Sequence, residues 1–138
     1  MTSLTPFGIV AAGMIPVLLG MVWYHPHIFG THWMQMNGIT PDMSEQVQRN
    51  RWKYGLMALV AGMLTAYILD TFSILAGVSS VWEALRMGFW SWAGFVMPIL
   101  LGSIMWEGRD RRLYLINAGY WLVAFIIMAI LLYKLSTI

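Results

Sequence analysis

The sequence predicts an all-α fold, an integral membrane bundle of four transmembrane helices. Three observations predict it. Of the 138 residues, 59% are hydrophobic and only 10% are charged, whereas soluble domains carry about 25% charged residues. Four apolar stretches each approach the roughly 20 residues that a helix needs to cross a hydrocarbon core about 30 Å thick. Helix-ending glycines and N-capping side chains fall between the stretches. The same numbers exclude a disordered tail, a basic nucleic-acid-binding domain and an ordinary soluble enzyme. The sequence has no cysteine, so disulfides, thiolate chemistry and cysteine-ligated metals are excluded.

The first helix spans residues 6–24 and carries no charge. It lacks the basic n-region and small-residue cleavage site of a signal peptide. A long wet connection, 25–53, follows. Within it Thr40-Pro41-Asp42 reads as an N-cap, a proline at the first helical position and an acid in the first turn. No Gly or Pro interrupts the chain from Asp42 to Tyr54, so the second helix is expected to run over 41–76, with its membrane part starting near 54. About 36 helical residues would span roughly 54 Å. Gly77 suits a left-handed C-cap, and Ser80-Val-Trp-Glu83 reads as a capping box opening the third helix, 81–106. Gly108 closes that helix and Asp110 caps the fourth, 111–135. The turns 77–80 and 107–112 are tight and predict adjacent antiparallel neighbours. The whole chain is one membrane domain.

Orientation follows from the cations. Arg49, Arg51, Lys53, Arg109, Arg111 and Arg112 fall on one side, Arg86 and Lys134 toward the other. The excess places connections 25–53 and 107–112 in the cytoplasm and both termini outside.

Pro16-Val-Leu-Leu-Gly20 in the first helix is echoed by Pro98-Ile-Leu-Leu-Gly102 in the third. A parallel repeat of two tandem hairpins would produce this echo; so would chance among residues common in membrane helices. Each proline is expected to kink its helix and free a carbonyl.

The ordered string Trp23-Tyr24-x-Pro26-x-x-Phe29-Gly30-x-x-Trp33, with Gly38 after it, is followed by Gly94-Phe95-x-x-Pro98, Glu107-Gly108-Arg109 and Ile116-Asn117-Ala118-Gly119-Tyr120. Over nearly its whole length the chain resembles the bacterial membrane family catalogued as domain of unknown function 1761. The resemblance implies a small multi-pass helical protein. It implies no activity, catalytic residue or cofactor. Family members often have a small residue at the place of His25.

Several side chains invite a functional reading. His25, His27 and His32, with Met34 and Met36, offer the imidazole and thioether ligands that suit Cu(I); such a string more commonly anchors a connection among lipid headgroups. Asp70 lies seven residues before Gly77 and Arg86 six after Ser80, so both sit about 9 Å from the turn. They are expected to pair, because a lone charge in lipid is costly. The pair would staple the two helices, or serve as a gate. Glu83 reads as a cap and Glu107 as a loop charge. Asn117 is expected to hydrogen-bond between helices. Ala58, Gly62 and Ala66 form a small-residue stripe suited to close packing against a helix of this chain or of another subunit. Trp90, Trp92 and Trp121 lie away from the interfacial belts.

No nucleotide loop, nucleophile elbow or metalloprotease motif occurs. The expected role is a non-catalytic structural or accessory subunit, or a homo-oligomer, acting through helix packing. Its partners are membrane lipid and other membrane subunits or itself, not nucleic acid; no cofactor is expected beyond bound lipid. The alternative is a small solute channel or transporter formed by the proline-kinked helices. Copper binding is the third reading.

Overall fold

A computed structural model describes residues 6–137, and every regular element among them is helical. Helix α1 is Pro6–Trp23. A π-helical turn, Pro26–Gly30, leads into the short α2, Thr31–Met36. Then come α3, Pro41–Arg49, and α4, Arg51–Leu75. Helix α5, Val81–Met105, contains a π-helical stretch at Trp92–Val96, and α6 is Arg111–Ser136. Helices α1, α4, α5 and α6 are long and apolar enough to cross a membrane.

Helix ends form where the residues allow them. Gly38, Gly77 and Gly108 have φ of 62°, 68° and 64°, the left-handed conformation that terminates helices. Val78 N–H then bonds back to Ser73 O, and Arg109 N–H to Ser103 O. Ser80 Oγ accepts from Glu83 N–H at 3.2 Å and Asp110 Oδ1 from Arg112 N–H at 2.7 Å. Glu83 reaches one residue further back than a capping box requires, accepting from the N–H and hydroxyl of Ser79.

The expected continuous helix over 41–76 is broken. Asn50 leaves helical geometry at φ −105°, ψ 13°, and its amide donates to Gln46 O at 3.2 Å. An asparagine side chain competes with the backbone ladder for such acceptors and so ends α3 without Gly or Pro. Helix α3 contributes no buried residue.

Packing also departs from chain adjacency. Helix α1 packs chiefly on α4, α5 chiefly on α6, and α6 also closes on α1. Consecutive α4 and α5 barely touch. The core is built from Ala12, Ala66, Leu69, Phe125, Met128, Ala129 and Leu132. Small residues set the crossings, as is usual where helices associate within lipid. A Cβ on Gly62 would lie 2.3 Å from Gly13 O, so α1 and α4 meet backbone to backbone. Gly62 and Ala66 thus find their partner within the chain, whereas Ala58 is exposed.

The prolines of the echo have different surroundings. Pro16 lies inside an uninterrupted α-helix. Pro98 follows the π-helical stretch, where Met97 N–H reaches Trp92 O. The two seams between hairpins differ as well: α1–α6 is closed and α4–α5 is open.

Candidate functional site: an aromatic lock between helix ends

The end of α1 meets the start of α6. Trp23 Nε1 donates to Ile116 O at 3.0 Å, and the Tyr24 hydroxyl donates to Asn117 Oδ1 at 2.8 Å. Deeper in the bundle the Tyr120 hydroxyl donates to Pro16 O at 2.5 Å. From the opposite side, Trp92 Nε1 of α5 donates to Ala118 O at 2.9 Å. Carbonyls two residues apart point to different faces of a helix, about 200° apart at 3.6 residues per turn. Two indoles, one from α1 and one from α5, therefore hold α6 between them.

Aromatic rings fill the space around these bonds. Tyr24 contacts Tyr120 at 5.2 Å and Trp33 at 5.5 Å between centroids, and Trp23 contacts Phe29 at 5.0 Å. Such spacings are those of favourable tilted and edge-on pairs. Glycine makes the closeness possible. A Cβ on Gly30 would fall 2.1 Å from Tyr24 O, and one on Gly119 3.3 Å from the Trp23 ring. The Thr31 hydroxyl donates to Pro26 O at 2.8 Å and fastens the π turn. Burial, and secondarily the neighbouring Tyr120 phenol, push the Tyr24 hydroxyl above its ordinary pKa, which keeps it a donor.

The two connections on this face are also joined. Arg109 Nε donates to Glu107 Oε2 at 2.7 Å and Arg109 Nη1 to Asn37 Oδ1 at 3.1 Å. Glu107, read from sequence as a loop charge, thus positions an arginine that ties α2 to the α5–α6 turn.

Trp23, Tyr24, Pro26, Phe29, Gly30, Trp33, Asn117, Gly119 and Tyr120 thus converge, with Glu107 and Gly108 at the edge. Trp92, Asn37 and the Pro16 carbonyl complete the arrangement. The sequence marks Trp92 as an out-of-belt tryptophan and Pro16 as a kink, and does not mark Asn37; none of these names a partner.

Other candidates separate. Asp70 and Arg86 sit on differently directed faces of their helices, Asp70 inward on α4 and Arg86 outward on α5. Equal depth fixes height but not direction. Asp70 is 4% exposed, on the α4 face that carries Gly62, Ala66 and Ser73. Arg86 lies two residues, about 200°, from both Ala84 and Gly88, the buried face of α5, and is exposed. The His/Met string also divides. His25 and His27 lie 5.3 Å apart between ring centroids, while His32 and Met36 line a separate recess. Among the described residues no three His, Cys, Asp or Glu side chains come together as metal ligands. Trp121 is half-buried between Tyr120 and Phe125, and Trp90 is exposed.

Four membrane-length helices, clamped at one end by an aromatic lock, define a small helical-bundle membrane protein. A family model described as protein of unknown function (DUF1761) matches residues 7–133, and the chain belongs to that family. No curated protein and no solved structure matches it.

Proposed function

We propose that the protein is a non-catalytic membrane component that assembles, with itself or as an accessory subunit of another membrane protein, through helix packing. One observation carries this reading: the polar groups of the motif residues face one another. The Tyr24, Tyr120 and Trp23 donors all have acceptors within the chain. Asn117 and the Pro16 carbonyl, the groups suited to line a solute path, accept two of those bonds. A convergent acid–base set would leave such groups turned toward a substrate.

The open α4–α5 seam supports assembly. Its groove, about 330 Å³, has walls from Leu64, Ile68 and Phe95 and a floor from Phe125. A groove of this size takes a few apolar side chains from a transmembrane helix laid along the seam by a further subunit. The arginine-rich connections favour a cytoplasmic position for the locked end, in a bacterial inner membrane.

Native mass spectrometry from mild detergent tests the proposal. A fixed homo-oligomer or a fixed heterologous partner is expected. A monomer that conducts a solute in proteoliposomes overturns it in favour of a channel.

A further inference from the structure

A second recess lies beside the lock, where α2 crosses the start of α6. It encloses about 450 Å³. Its apolar lining comes from Phe29, Met36, Leu115 and Ile116. Its rim carries His32 and Gln35 from α2 and Arg112 and Asp110 from the start of α6. The Arg112 guanidinium pairs with no carboxylate among the described residues. Asp110 uses Oδ1 to cap α6. The rim thus presents one cation and one anion above an apolar wall. It does so at the end of two membrane-length helices, the depth at which lipid headgroups meet acyl chains.

We propose that this recess binds the headgroup of a zwitterionic phospholipid bearing a primary amine, its phosphate against Arg112 and its ammonium against Asp110. A guanidinium matches phosphate oxygens in a planar fork. The His32 ring and Gln35 amide supply further donors on the same rim. The ammonium completes the charge balance, because a purely anionic headgroup would leave Asp110 facing a like charge. The apolar wall receives the glycerol end and the first acyl carbons. This site is independent of the assembly reading, which concerns the α4–α5 seam on another side of the bundle.

The full chain in detergent is titrated with phosphatidylethanolamine, phosphatidylglycerol or free phosphoethanolamine, and retained ligand is read by native mass spectrometry. Phosphatidylethanolamine is expected to be retained in preference to phosphatidylglycerol. Arg112→Gln is expected to weaken its retention about tenfold, the scale of one charge-assisted hydrogen bond. Asp110→Asn keeps a capping oxygen and is expected to remove the preference for phosphatidylethanolamine. His32→Ala lies outside the α6 cap and serves if Arg112→Gln lowers the melting temperature; it is expected to weaken retention with the fold intact. Equal retention of the two lipids by the wild-type chain overturns the proposal, as does a folded His32→Ala, Arg112→Gln pair that binds like wild type. Competition by free phosphoethanolamine at the lipid's own concentration would assign the recess to a soluble phosphate compound and overturn the lipid assignment.

Discussion

Tyr24 and Asn117 are 93 residues apart in the chain, yet the Tyr24 hydroxyl donates to Asn117 Oδ1 at 2.8 Å. This bond joins the end of α1 to the first turns of α6. It converts two separate sequence motifs into one structure. Hydrogen bonds between membrane helices contribute about 0.6–2 kcal/mol. Tyr24→Phe and Asn117→Ala should each lower thermal stability in detergent by that order. A double-mutant cycle should return a coupling of similar size. Coupling near zero would show that the bond contributes nothing.

The same phenol gives a pH dependence. The Tyr24 pKa is raised above its ordinary 10.0, first by burial and then by Tyr120. A proton held more tightly in the folded chain stabilises it fully below the ordinary value. That contribution is lost as pH rises through the folded value. Wild type should therefore lose stability above pH 10.0 more steeply than Tyr24→Phe. Melting curves across the alkaline range test this; parallel curves refute it.

The crossing of α1 and α4 makes a sharper steric claim. A Cβ at Gly62 meets the Gly13 carbonyl, which belongs to rigid backbone. Gly62→Val should cost about 1–3 kcal/mol, the range for overpacking. Ala58→Val, on the same stripe but exposed, should shift the melting temperature little. If both variants behave alike, α1 does not pack at Gly62.

These contrasts show which features the sequence made legible. Gly77, Gly108, Ser80 and Asp110 act locally, so helix ends could be read within a few residues of each signal. The Asn50 break was not legible, because no breaker marks it and the side chain acts through Gln46 O. The convergence of Trp23 with Ile116, and of Trp92 with Ala118, depends on which helix faces which, and an apolar sequence carries little direction. Arg86 is the instructive case. Its angle from Ala84 and Gly88 was available from helix periodicity, but only once those two were known to be the buried face.

Asp70 and Arg86 yield a prediction of absence. With Asp70 on the inward face of α4 and Arg86 exposed on α5, removing one should not alter the effect of the other. Arg86→Gln alone should change stability by no more than about 0.5 kcal/mol, as at other exposed positions. The cycle with Asp70→Asn should be additive within about 0.5 kcal/mol. A coupling of several kcal/mol would restore the staple.

The α4–α5 seam separates assembly from folding. Ile68 is 42% exposed and lines the groove. Ile68→Trp fills that space with an apolar side chain while leaving the inward face of α4 untouched. The monomer should keep its melting temperature, because no buried contact is removed. A helix seated in the groove would be displaced, so the oligomer or the complex with a partner should dissociate in native mass spectra. Arg49→Gln alters an exposed ion pair at the end of α3 and should leave the same spectra unchanged. If Ile68→Trp also leaves stoichiometry unchanged, subunits do not meet at this seam.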